Sequence, residues 1–256
     1  MAHFKLTLAY DGTAFVGWQR QAEGVSIQGL VEDALAILEG KPVTVAGAGR
    51  TDAGVHALAQ VASVSLDRSI DAPTLVRALN AHLPDAVRVL DVEETSAAFH
   101  ARFNATAKTY RYRIWNTEVL SPFERPYVWH IPAPALDIAA MTEAAPILEG
   151  RHDFAAFQAA GTITRTTERV IFSSRLIADA DPNGCAALLV YEVRGEGFLR
   201  HMVRSIAGTL VEIGKRRYAA SRMREVLESR SRALAGQTAP AAGLFLVRVE
   251  YQTPDL

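Results

Sequence analysis

A single cysteine, Cys185, stands in a chain of 256 residues, which excludes an internal disulfide and any thiolate metal cluster. Its neighbours are apolar, so a buried thiol without an assigned role is expected. Long hydrophobic runs are missing too, and nothing approaches the roughly 20 apolar residues of a membrane span. The opening Met1-Ala2-His3-Phe4-Lys5-Leu6 enters a strand pattern at once, with no basic stretch leading into an apolar one; a cytoplasmic protein without a membrane segment is expected. Low-complexity segments are lacking. Neither sign of charge dominates: 27 Lys and Arg against 28 Asp and Glu leave a net −1, which argues against indiscriminate coating of polyanions.

What is present suits a soluble globular chain. Hydrophobic residues make up 49% and charged residues 21%, enough for one large domain or two small ones. The charge is unevenly spread. Residues 1–104 hold 8 basic and 12 acidic side chains, a balance of −4, whereas 105–256 hold 19 and 16, a balance of +3. Basic residues concentrate at Lys108, Arg111 and Arg113, at Arg200 and Arg204, and at Lys215-Arg216-Arg217. Arginine supplies 23 of the 27 cations. Its planar fork suits phosphate, although a coding bias would give the same excess.

Periodicity divides the chain into αβ segments. Phe4, Leu6, Leu8 and Tyr10 alternate as a strand that stops at Asp11-Gly12. Ser26 caps a helix carrying Ile27, Leu30, Val31, Leu35 and Leu38, which ends at Gly40-Lys41-Pro42. Residues 42–46 are β-rich and read as a second strand, Gln60–Leu66 alternates as a third, Asp71 caps a second helix, and Val87–Val92 is a fourth strand. The order βαββαβ over residues 1 to about 94 predicts a ferredoxin-like split unit. The second half predicts strands at 109–116, 168–178, 186–194 and 243–251, and helices at 136–148, 197–213 and 221–230. The expectation is an α+β fold of two halves, 1–104 and 105–256. An irregular connection over 121–134 carries Trp129 and His130.

The segment Gly49-Arg50-Thr51-Asp52-Ala53-Gly54-Val55-His56-Ala57 sets one carboxylate among small residues in a loop between two strands. Gly47, Gly49 and Gly54 permit tight turns and close approach of a ligand. A lone loop Asp most often bonds its own backbone. Arg50 and His56 shift the balance, because they offer charge and donors beside it. Asp52 and His56 also suggest a metal pair, but no further ligand lies at suitable spacing and the seven His are dispersed. No metal and no nucleotide cofactor are expected, since Gly40-Lys41-Pro42 and Gly47-x-Gly49 are fragments of phosphate loops only.

Two constellations in the second half carry further chemistry. From Gly195 onward, Phe198, Leu199, Met202, Val203, Ile206, Ala207, Leu210 and Val211 predict one apolar stripe, with Arg200 and Arg204 one turn apart on the other face. Such a pair is either a wet face or an anion site. In Lys108-Thr109-Tyr110-Arg111-Tyr112-Arg113, aromatics and cations alternate, so Tyr110 and Tyr112 share one face and the arginines the other. The tyrosines either stack a base or fill the core.

Together these segments resemble the bacterial tRNA pseudouridine synthase A family. The resemblance runs through Tyr10-Asp11-Gly12 with Gly17-Trp18-Gln19-Arg20-Gln21, Gly49 to His56, Phe99-His100-Ala101-Arg102-Phe103, Lys108 to Tyr112, His201-Met202-Val203-Arg204 and Gly243-Leu244-Phe245-Leu246; Gly49 to His56 is the most specific. It implies an isomerase that converts uridine to pseudouridine at positions 38 to 40 of the tRNA anticodon arm, without metal or organic cofactor, as a homodimer. It implies two ferredoxin-like halves sharing a largely antiparallel central sheet, with the active-site cleft between them. By position, Asp52 resembles the catalytic aspartate, Arg204 its paired cation and Tyr110 the residue stacking on uracil. Arg50 resembles the residue that holds the flipped nucleotide, and Leu244 and Leu246 those lining the uracil pocket. Whether Asp52 attacks C1′, adds to C6 or removes the 2′ proton is left open. Two other classes fit parts of the pattern: a non-catalytic RNA-binding module, which has no use for Asp52, and a hydrolytic glycosidase, which ordinarily needs a second carboxylate.

Overall fold

Alternation of core side chains drives the first strand, β1 (Ala2–Tyr10), in which Phe4, Leu6, Leu8 and Tyr10 are all buried. The structure, a computed structural model, describes residues 1–162, 164–180 and 186–252; Cys185, with its expected burial, lies outside them. Helix α1 (Ile27–Glu39) starts where the Ser26 hydroxyl accepts from the Gly29 N–H at 3.2 Å and stops at Gly40, whose φ of 76° is the left-handed cap. Such an N-cap contributes about 1 kcal/mol. The β-rich stretch that follows yields only the two-residue β2 (Ala46–Gly47). The reason is local: the Val45 N–H donates to Glu32 Oε1 and the Val45 carbonyl accepts from Gln28 Nε2, so side chains of α1 take the groups that a strand partner would use. Strand β3 (His56–Leu66), helix α2 (Ala72–His82), capped by Asp71 on the Thr74 N–H at 2.9 Å, and β4 (Val87–Thr95) complete the series.

The chain divides into two compact units, one of Met1–Thr106 with the segment from Phe245 onward, the other of Ala107–Leu244. In the first, β1 lies antiparallel to both β3 and β4, and β2 is antiparallel to β3. The order β4-β1-β3-β2 is that of the split βαββαβ arrangement.

The second unit is built on β5 (Ala105–Trp115), with the short β6 (Trp129–His130) parallel beside it. The stretch expected to be irregular therefore contributes one pairing segment, after a 3-10 turn at Arg125–Tyr127. Helix α3 (Ile138–Ala144) is capped by Asp137 and tightens into a 3-10 turn over Ala145–Leu148, where Pro146 has no N–H to continue the helix. Then come β7 (Gly150–Asp153), β8 (Glu168–Ala180), β9 (Ala186–Gly195), α4 (Met202–Gly214) and α5 (Arg222–Ser229). The order β5-β9-β8-β7 is antiparallel throughout. With α3 between β5 and β8 and α4 after β9, it follows the same split pattern as the first unit. The last strand, β10 (Leu244–Tyr251), runs parallel to β3 with Phe245 opposite His56 and Leu246 opposite Ala57. Strands that are largely antiparallel, with five helices among the described residues, make the fold α+β. Among these residues no helix is long and apolar enough to cross a membrane.

One expectation is overturned. The helix predicted from residue 197 begins at Met202, and His201 before it has a φ of 63°. The backbone of 196–200 is committed elsewhere: the Glu196 N–H donates to Val170 O and the Arg200 carbonyl accepts from the Ala159 N–H, both at 3.0 Å. Arg200 is therefore off the helix, and α4 does not present Arg200 and Arg204 one turn apart. Its apolar surface is also wider than a stripe, because eleven of its residues are buried.

Candidate active site

Asp52 occupies a loop between β2 and β3, half-buried, beside the buried Thr51. Two turns of chain fold against each other here. The Trp18 N–H donates to Thr51 O at 3.1 Å, the Gly54 N–H to Phe15 O at 3.3 Å, and the Val55 N–H to Asp52 O at 3.1 Å. Closeness of the two loops explains two glycines whose importance was not evident from sequence. A Cβ on Gly12 would lie 2.0 Å from Val55 O; one on Gly17, whose φ is 106°, would lie 2.5 Å from Thr51 O. Gly54 takes the positive φ of 76° that the tight turn requires.

Beneath the loop lies a buried polar group. Tyr10 Oη is 2.9 Å from Thr51 Oγ1, and Gln60 Nε2 donates to Gly49 O at 2.9 Å and to Tyr10 Oη at 3.4 Å. Burial pushes the Tyr10 phenol up to about 12, against the opposing hydrogen bonds of Thr51 and Gln60. The sequence pattern marks Tyr10 and Gln60 as strand positions and Thr51 as part of the loop, and gives none of the three a role of its own. The signal was there: Gln60 shares its register with the buried Ala62, Val64 and Leu66 of β3, and a polar residue on a core face needs a partner.

The proposed neighbours of Asp52 have defined contacts. Arg50 Nε donates to Gln19 Oε1 at 3.1 Å. His56 is buried, its Nδ1 accepting from the Gly12 N–H at 3.1 Å with Asp11 Oδ1 at 3.2 Å, and its ring stacks on Phe245 at 4.6 Å. His56 thus fastens β10 and the Asp11-Gly12 turn to the head of β3. Leu246, opposite Ala57, is fully buried. Among the described residues no group of three or more His, Cys, Asp or Glu side chains gathers as a metal would require.

The second unit carries the other candidates. Tyr110 is 7% exposed and meets Phe198 edge to face, with ring centres 5.0 Å apart. Tyr112, on the same strand face, is a core residue whose hydroxyl donates to Pro240 O at 2.8 Å. Arg204 Nε donates to Ala239 O at 2.7 Å, and the Ala239 N–H returns to Arg204 O at 3.1 Å. Burial drives the Tyr112 phenol up while the charge of Arg204 opposes the shift. Leu244 is buried at the start of β10. On the opposite face of β5, Arg111 donates to Glu192 Oε2 at 2.7 Å and Arg175 to Glu192 Oε1 at 2.9 Å. The alternation read from sequence is observed: tyrosines inward, arginines outward.

The chain matches a family described as tRNA pseudouridine synthase over residues 7–104 and 144–252. It is 51% identical over 254 residues to the tRNA pseudouridine synthase A of Solibacter usitatus strain Ellin6076, covering 98% of this chain and 100% of that one. It is 46% identical over 253 residues to the protein of that name from Moorella thermoacetica, covering 98% and 100%. For the one from Myxococcus xanthus the identity is 47% over 252 residues, covering 98% and 93%. Tyr110 falls between the two stretches of the family match and within the span of the relatives.

Proposed function

The chain belongs to the tRNA pseudouridine synthase family, and from that premise we propose that it isomerises uridine to pseudouridine in tRNA, at positions 38 to 40 of the anticodon arm. The observation that carries the assignment to Asp52 is its setting: a half-buried carboxylate on a loop whose backbone is pinned at Thr51 and at its own carbonyl. The reaction breaks the C1′–N1 bond, turns the uracil and joins C1′ to C5. The hydrogen on C5 leaves as a proton and N1 gains one, so no electrons are exchanged and no cofactor or second substrate enters the balance.

In this reading Asp52 supplies the ionised carboxylate and Arg204 the cation that favours ionisation. The base leaves its stack at a cost of a few kcal/mol. Tyr110 then stacks on it, with Phe198 bracing the ring, while Arg50 holds the flipped nucleotide and Leu244 and Leu246 back the uracil pocket. Asp52 and Arg50 come from the segment 1–104, Tyr110 and Arg204 from 105–256. The family resemblance also supports a homodimer that binds one tRNA across both subunits, in the cytoplasm.

The test is incubation of the purified protein with unmodified tRNA, followed by mapping of pseudouridine. Modification at positions 38 to 40 is expected. Asp52→Asn removes the charge and keeps the shape; turnover should vanish while tRNA affinity stays within a few-fold. Turnover retained by this variant would remove the catalytic role from Asp52, absence of turnover in the parent chain would return it to the RNA-binding class, and free uracil among the products would make it a glycosidase.

A further inference from the structure

We infer that Tyr10, Thr51 and Gln60 form a buried polar strut whose function is to position the Asp52 carboxylate, an inference that rests on Asp52 being the catalytic group. The three side chains come from the end of β1, the loop itself and the middle of β3, and they are 4%, 6% and 0% exposed.

The direction of the hydrogen bonds follows from donor counting. The Gly49 carbonyl can only accept, so the amide nitrogen of Gln60 faces it, and the second N–H of that nitrogen goes to Tyr10 Oη. Gln60 Oε1 in turn accepts from the Val61 N–H at 3.2 Å. Tyr10 Oη, accepting from Gln60, lies 2.9 Å from Thr51 Oγ1, a bond in which either hydroxyl can donate. The phenol stays protonated throughout the neutral range, because burial raises its pKa to about 12.

Position is fixed at the same time. The side chain of Thr51 is held by Tyr10, and its carbonyl by the Trp18 N–H, which reaches it only because Gly17 leaves room. The carbonyl of Asp52 accepts from the Val55 N–H. The Cα of Asp52 therefore sits between two pinned peptide groups, which set the direction of its side chain. For stability alone, Phe, Val and Leu of similar volume would fill these positions without burying polar atoms. A satisfied buried network gives rigidity, and a displacement near 1 Å at a reacting group costs on the order of 10²-fold in rate.

The experiment compares Tyr10→Phe, Thr51→Val and Thr51→Ser in single-turnover assays on unmodified tRNA, with tRNA affinity measured separately. Tyr10→Phe and Thr51→Val should each slow the single-turnover rate by about 10- to 100-fold, with affinity within twofold of the parent. Thr51→Ser, which keeps the hydroxyl and loses one methyl, should recover to within about threefold. The double variant should be no slower than the slower single one, as for parts of one device. Parental rates in both Tyr10→Phe and Thr51→Val overturn the inference, as does a Thr51→Ser rate as low as that of Thr51→Val, or a defect found in affinity and not in rate. Asp52→Asn is run beside them. If it stays active, the reading of Asp52 has failed; if it is dead while the strut variants run at the parental rate, the strut alone has failed.

Discussion

Arg204 does two things that a substitution must separate. Its backbone and Nε are tied reciprocally to Ala239, which holds the segment leading into β10, and its charge is felt by the buried Tyr112 phenol. Removing the side chain loses both the anchor and the charge, whereas lysine keeps the charge and loses the fork. Arg204→Ala should lower kcat/KM by about 10²- to 10³-fold, the scale expected when one electrostatic partner of a reacting group is removed, and Arg204→Lys should retain about tenfold more activity than the alanine variant. Equal loss in both, with an equal drop in melting temperature, would mean that the anchor to Ala239 and not the charge carries the effect. Steady-state kinetics and thermal unfolding of the two variants decide it. At this scale the candidate residues could be singled out because chemistry restricts which side chains can act. The partners that hold them, Phe198 for Tyr110 and Ala239 for Arg204, could not, since each is fixed by a fold-level approach between segments far apart in sequence.

At the scale of elements, the strands and helices with a clean period were readable to within a few residues. β1 alternates, and α1 and α2 open on Ser26 and Asp71 caps that the structure retains. The misreadings arise where tertiary bonds take over the backbone. Val45 gives both its groups to side chains of α1, which cuts β2 to two residues, and residues 196–200 bond to Val170 and Ala159, which delays α4 to Met202. The two interlocked loops make the strongest case, because their fit depends on Gly12 and Gly17. Gly40 offers a control: it also has a positive φ, of 76°, but a Cβ there meets nothing within 4 Å. Gly40→Ala should cost about 1 kcal/mol through backbone strain alone, with turnover unchanged. Gly17→Ala adds a collision with Thr51 O and should cost about 2 to 4 kcal/mol, with turnover falling at temperatures where the variant is still folded. Denaturant unfolding gives the first quantity and single-turnover kinetics the second. A Gly17→Ala variant as stable and active as Gly40→Ala would show that the loops do not depend on this approach.

For the molecule as a whole, the question is how a chain of net charge −1 holds a polyanion. The basic concentrations in the sequence suggest many phosphate contacts, yet several are neutralised internally. Arg111 and Arg175 flank Glu192, Arg216 meets Asp137, Arg217 meets Glu212 and Arg230 meets Asp153. Such pairing is invisible in sequence, since Glu192 lies 81 residues beyond Arg111. Burial alone would raise the Glu192 pKa, but hydrogen bonds and charge from the two arginines hold it below the ordinary carboxylate range, so the acid remains ionised at neutral pH and cancels part of their charge. If these pairs persist in the complex, few arginines release counterions, and the salt dependence is shallow. A slope of log affinity against log salt of about −2 to −4 is expected, equivalent to a loss of about 15- to 250-fold between 50 and 200 mM. Glu192→Gln removes the competing charge and frees Arg111 and Arg175 for phosphate. Its tRNA affinity at low salt should rise and its slope should steepen by about 1, while loss of a charge-assisted bond lowers stability by about 1 to 3 kcal/mol. A parental slope near −8 would mean instead that the paired arginines exchange their carboxylates for phosphates on binding, in which case Glu192→Gln would leave the slope unchanged.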